Sequence, residues 1–187
     1  MMMVSSVAMF AQSVAGSVRF TPYVGLSLAT MTNGDGEVSM KPGLVAGAEA
    51  MYAITDKVGL SGGVFFEMQG CKGKEDGVSL SLNNNYINVP ILANVYVAPG
   101  LAIKAGLQPG FLVSAKASGS AMGVSASVDM KDAYNTFDLS VPVGLSYEIK
   151  NFVIDARYNF GVLNVFSDAD SDSSRNSVFQ LMVGYRF

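Results

Sequence analysis

Glu49 and Glu67 are the first residues whose types and spacing could do chemistry. Each lies in a stretch where apolar and polar residues alternate, and the two stretches follow one another in the chain. Carboxylates facing each other from adjacent strands are the raw material of a general acid/base pair. Arg19, Lys104, Asp138, Glu148, Asp155, Arg157 and Arg186 share the same polar parity in their own stretches. These basic and acidic groups nearly cancel, and charges that converge in a narrow interior pair with one another. The expectation is a structural ion-pair network of Arg19, Glu49, Glu67, Lys104, Asp138, Glu148, Asp155, Arg157 and Arg186, not a catalytic dyad.

The other chemical candidates are weaker. Asp168, Asp170 and Asp172 open like a calcium loop, but Ser173 takes the place of the turn glycine and Phe179 that of the bidentate glutamate. A solvated acidic loop is expected there. Cys71 is the single cysteine and lies in a Gly70-Cys71-Lys72-Gly73 segment read as loop, with no histidine or helix terminus to activate its thiol. The chain has no histidine at all, which removes histidine triads, histidine bases and histidine metal ligands together. No catalytic residue, cofactor site or metal site is assigned, and no enzyme activity is expected.

The elements that position the charges are strands. Phe179, Leu181, Val183, Tyr185 and Phe187 share one face of the last stretch, and Val178, Gln180, Met182, Gly184 and Arg186 share the other. Such a period of two suits a wall with lipid outside and a polar interior. The same alternation recurs from Val18, from Gly43, from Leu60, from about Asn85 across Pro90, from Leu101, from Phe137 and from Phe152, which makes eight strands. Pro90 is expected to cost that strand a ladder bond or to cause a bulge. Connections alternate long and short: 32–41, 70–84, 116–136 and 163–177 are long, while those around Thr55-Asp56-Lys57, Pro99-Gly100 and Lys150-Asn151 are tight. This is the plan of an eight-stranded antiparallel up-and-down transmembrane β-barrel with long loops outside the cell and short turns in the periplasm.

Composition agrees. Among 187 residues half are hydrophobic and only 14% are charged, with a mean hydropathy of +0.34. Yet after the N-terminus no run reaches the ~18 apolar residues of a spanning helix, so the apolar character must be spread over strands. A net charge of -3 gives no footprint for nucleic acid. Residues 1–11 are apolar and small and are expected to be the remnant of a secretory signal, with the barrel domain covering 18–187.

Three segments carry a family resemblance. Tyr86-Ile-Asn-Val-Pro-Ile-Leu92, Asp155-Ala-Arg-Tyr158 with Gly161, and Gly184-Tyr-Arg-Phe187 resemble the corresponding strands of the PorT-like outer-membrane β-barrel family of Gram-negative bacteria. Asn88 stands where that family usually has an acidic residue. The resemblance implies an outer-membrane barrel, a part in protein secretion, and no catalytic site. Tyr185 and Phe187 resemble the terminal signal that the barrel-assembly machinery reads. The expected partners are therefore outer-membrane lipid, that machinery and an unidentified partner of the external loops, with the protein itself a monomer. The preferred function is a non-enzymatic structural or interaction module. Two alternatives stay open: a small-solute channel, favoured by the interior glycines, and a soluble ligand-binding β-barrel with its apolar face turned inward.

Overall fold

The computed structural model describes residues 14–32, 39–69, 71–75, 78–121, 124–129, 135–163 and 175–187. Its elements are strands: β1 (Val18–Thr32), β2 (Ser39–Ala53), β3 (Val58–Gln69), β4 (Cys71–Glu75), β5 (Val78–Asn88), β6 (Ile91–Ala98), β7 (Leu101–Ala121), β8 (Val124–Asp129), β9 (Phe137–Ile149), β10 (Phe152–Gly161) and β11 (Arg175–Tyr185). They form one antiparallel sheet that closes on itself, because β1 pairs with both β2 and β11. Three walls are each made of two elements, β3 with β4, β5 with β6 and β8 with β9. The barrel is eight-stranded.

Alternation decides which way each side chain faces. Along β3 every second residue from Gly59 to Gln69 turns inward and is buried or half-buried, whereas Leu60, Val64, Phe66 and Met68 are exposed. The same holds on β11, where Phe179, Leu181, Val183 and Tyr185 point out and Gln180 and Met182 point in. An unbroken belt of exposed Leu, Ile, Val and Phe is unfavourable in water, and lipid is its natural surrounding. The soluble alternative required the opposite orientation.

The tight turns have local causes. Thr55 Oγ1 accepts the backbone N–H groups of Lys57 at 3.2 Å and Val58 at 3.0 Å, folding β2 into β3. Gly100 takes a positive φ of 76° and Lys150 one of 56° in the two other tight turns. At Pro90 the expected loss of a ladder bond is what happens: β5 ends at Asn88 and β6 begins at Ile91. The wall remains continuous, since Gly63 N–H donates to the Pro90 carbonyl at 3.1 Å and Val89 N–H to that of Pro109 at 2.8 Å.

Two long connections are more ordered than their composition suggests. The stretch 70–84 and the stretch 116–136 were expected as polar loops, but β4 pairs with β5 from Lys72↔Ser81 to Glu75↔Val78, and β7 with β8 from Lys116↔Asp129 to Ala121↔Val124. Cys71 accordingly lies in a strand, its backbone opposite Met40, and not in a loop. The pairing of β5 with β7 reaches Ser79↔Ser120, so at this end β2, β4, β5, β7 and β8 continue as one sheet. The cause is a weak period of two, as in Val124-Ser-Ala-Ser-Val128, built from residues small and polar enough to read as loop. A bulge between Asn85/Tyr86 and the facing strand skips Val113, so beyond it Ala115 faces the interior in place of Ser114. Residues 1–11 and Asp168, Asp170 and Asp172 lie outside the described residues.

Candidate functional site

Strand pairing brings the interior charges into three tiers along the barrel axis. The middle tier is a quartet from three walls: Glu49 on β2, Lys104 on β7, and Asp155 and Arg157 on β10. Lys104 Nζ donates to Glu49 Oε1 at 2.7 Å and to Asp155 Oδ2 at 2.9 Å. Arg157 donates through Nε to Asp155 Oδ1 at 2.6 Å and through Nη2 to Glu49 Oε2 at 2.7 Å. Two cations face two carboxylates, and none of the four side chains is more than 2% exposed. Tyr23 and Phe65 cover the quartet: the Arg157 guanidinium lies 5.4 Å from the Phe65 ring centre, and Lys104 Nζ lies 5.9 Å from that of Tyr23. These rings form an apolar layer with Val45, Val153 and Met182.

The tier nearer the chain termini is built around Glu148 on β9. Arg186 forms an ion pair with it, Arg19 Nη1 lies 3.7 Å from its Oε2, and the Tyr96 hydroxyl donates to Oε1. Arg186 also donates through Nε to Thr21 Oγ1 at 3.3 Å and through Nη1 to the Tyr96 hydroxyl at 3.2 Å.

The third tier, nearer the long connections, departs from the expected network. Glu67 is fully buried but makes no ion pair among the described residues; Gln69 Nε2 and Asn88 Nδ2 donate to its Oε2 at 2.9 and 2.6 Å instead. Asp138 is half-buried and its Oδ1 accepts the Leu139 N–H at 2.9 Å, apart from the quartet. Nor do Glu49 and Glu67 form an acid/base pair. Their Cα partners are Gly63 and Val45, so four residues, roughly 13 Å of strand, separate their levels.

Among the described residues, Arg19, Glu49, Lys104, Glu148, Asp155, Arg157 and Arg186 form the ion pairs of the two lower tiers, while Glu67 sits among amides in the third. Tyr23, Phe65, Tyr96 and Gln69 belong to the arrangement and were not singled out from sequence. Their inward parity was the available signal. At the seam, Phe187 N–H donates to the Phe20 carbonyl at 2.9 Å, and the rings of Tyr185 and Phe187 meet edge to face at 5.0 Å on the outer surface. No group of three histidine, cysteine or acidic side chains able to hold a metal occurs among the described residues.

Comparison with known proteins agrees with this architecture. The crystal structure of Ail, the attachment invasion locus protein of Yersinia pestis, is similar over 93% of this chain and 100% of that one, at 19% identity and a TM-score of 0.58. The crystal structure of the same protein in complex with the heparin analogue sucrose octasulfate is similar over 91% and 99%, at 20% identity and 0.55. Neisserial surface protein A is similar over 90% and 97%, at 17% identity and 0.56. At such identities the likeness concerns the fold. No curated protein matches the chain. Residues 10–167 match the family described as outer membrane protein beta-barrel domain. With its closed barrel and its apolar outer belt, the chain belongs to that family, and its place is the cell outer membrane.

Proposed function

We propose that this protein is a non-enzymatic outer-membrane scaffold, a barrel plugged by its own charges that presents its extended hairpins to a partner outside the cell. The observation that carries this reading is the quartet of Glu49, Lys104, Asp155 and Arg157, which ties β2, β7 and β10 together across the interior at 2.6 to 2.9 Å. Eight strands leave a bore only wide enough for side chains. Here that bore is crossed by hydrogen-bonded charges and capped by Tyr23 and Phe65, with Arg157, Tyr86, Lys104, Leu92 and Met182 among the largest fully buried side chains. The interior glycines do not open it, because inward space beside them is taken by larger neighbours: a Cβ on Gly47 would lie 2.7 Å from a ring carbon of Phe65.

What remains for function is the end with the long connections. There the strands of β4, β5, β7 and β8 extend the sheet past the charge tiers. The Yersinia pestis protein of similar fold is named for attachment and invasion and was crystallised with a heparin analogue, and recognition outside the cell is the class of role we extend to the hairpins of this barrel. The resemblance to the PorT-like family adds protein secretion as the process served. The deciding experiment is conductance of the purified barrel in planar bilayers, with solute release from liposomes. Near-zero current and no size-dependent release are expected. Steady single-channel currents with solute passage would replace the scaffold reading by the channel reading.

A further inference from the structure

Glu67, in the third tier, is an interior carboxylate that makes no ion pair among the described residues, and buried oxygen acceptors without hydrogen-bond partners lie near it in the register. Oε2 is bound by Gln69 and Asn88, but Oε1 makes no hydrogen bond. Gln180 adjoins the same carboxylate. Gln69 spends its amide nitrogen on Glu67 and leaves Oε1 unused, while Asn84, 1% exposed, has neither amide atom bonded. Asn84 is the Cα partner of Gln69, so it is the diagonal neighbour of Glu67 on the interior face of β3 and β5. Diagonal neighbours lie about 7–8 Å apart at their backbones, within reach of long side chains. Three buried oxygens without a hydrogen-bond partner, Glu67 Oε1, Gln69 Oε1 and Asn84 Oδ1, thus sit on neighbouring interior positions of β3 and β5.

The two tiers below differ in a way that matters. Each carboxylate there, Glu49, Asp155 and Glu148, meets a cation within ion-pair distance. Arg157 and Lys104 make their ion pairs with Glu49 and Asp155, and Glu67 receives only the field of Arg157 from a distance, without an ion-pair contact. A buried carboxylate with only amide donors keeps most of its desolvation cost, and ordered water would satisfy Asn84 without balancing the charge. Oxygen ligands select hard cations. One carboxylate among neutral amides balances a single positive charge, whereas a divalent ion would leave an excess.

We propose that the interior space beside Glu67 is a binding site for a small monovalent metal cation, held by Glu67 Oε1 with the amide oxygens of Gln69 and Asn84. The site is independent of what the hairpins bind. It completes the third tier with an ion taken from outside, where the tiers below use side chains of the chain itself.

Thermal unfolding of the purified barrel in nonionic detergent tests this, with sodium, potassium, calcium or choline chloride at constant ionic strength. Sodium or potassium should raise the midpoint by several degrees over choline, saturably, because an ion that binds only the folded state stabilises it by mass action. Glu67→Gln should lose that dependence and, in choline, be at least as stable as the wild type. Should Glu67→Gln fail to assemble, Asn84→Ala and sodium-23 relaxation of the wild type give independent readings: weakened salt dependence in the variant, and broadening that potassium reverses. Equal midpoints in choline and in both alkali salts, as expected for ordered water alone, would overturn the site. So would stabilisation by calcium only, or an alkali dependence that survives in both variants.

Discussion

Arg157 and Glu49, 108 residues apart in the chain, meet inside the barrel, where Nη2 of the one donates to Oε2 of the other at 2.7 Å. Their strands, β10 and β2, are not neighbours, since β11 and β1 lie between them. The contact therefore braces opposite walls rather than lengthening a ladder.

Replacing Arg157 with alanine leaves Glu49 and Asp155 sharing Lys104 as their sole cation in the quartet. Breaking a buried pair by removing one partner costs about 3 to 5 kcal/mol, because the orphaned charge stays buried. Urea unfolding of the folded, heat-modifiable band should show a loss of that order. Conductance should stay near zero, since Tyr23, Phe65 and Met182 still fill the bore. A variant as stable as the wild type would mean that water reaches the quartet and screens it.

The termini and the tight turns at Thr55, Gly100 and Lys150 share one end of the barrel, and the hairpins of β4–β5 and β7–β8 share the other. Long connections of membrane barrels face the cell exterior. An epitope inserted at Gly123 should be labelled on intact cells, and one at Asn151 only after the outer membrane is permeabilised. The reverse labelling would invert the protein in the membrane.

Parity made the barrel legible. Every charged residue of the interior could be placed on one common face from the period of two, and the near absence of charge on the opposite face pointed that face to lipid. What parity cannot convey is height. The register of β2 on β3 sets Glu49 opposite Gly63 and Glu67 opposite Val45, and this offset, absent from local sequence, separates the two glutamates into different tiers. Tyr96 was hidden for another reason: tyrosines of such barrels gather at the membrane interface, as exposed Tyr52, Tyr147 and Tyr185 do, whereas Tyr96 turns inward to Glu148. The hairpins escaped notice because serine, glycine and alanine alternate too weakly to distinguish a strand from a loop.

Phe187 combines a backbone tie and a ring contact at the seam. Its N–H closes on Phe20 at 2.9 Å and its ring rests against Tyr185, while the side chain itself is 74% exposed. Deleting it, or replacing it with aspartate, should reduce the heat-modifiable fraction much more than total expression, whereas tyrosine should be tolerated. Equal assembly of the aspartate variant would show that the terminal ring carries no signal.

One close approach of walls that the interior requires is at Gly47, the Cα partner of Tyr23 on one side and of Phe65 on the other. A Cβ there would lie 2.7 Å from both the Cα and a ring carbon of Phe65, and closer still to the Val64 carbonyl. The ring could turn aside, but the backbone atoms cannot move without parting β2 from β3. Gly47→Ala should therefore be destabilising by roughly 1 to 3 kcal/mol, the usual cost of overpacking. Adding Phe65→Ala should not rescue it, because removing the ring frees the side-chain contact and leaves the carbonyl in place. The double variant should be less stable than either single one, since the alanine at 65 also empties the space above Arg157 that the ring now fills at 5.4 Å. Urea midpoints of the four proteins measure this directly. A double variant that regains the stability of Phe65→Ala alone would show that the ring, and not the close approach of the strands, is what makes glycine necessary at 47.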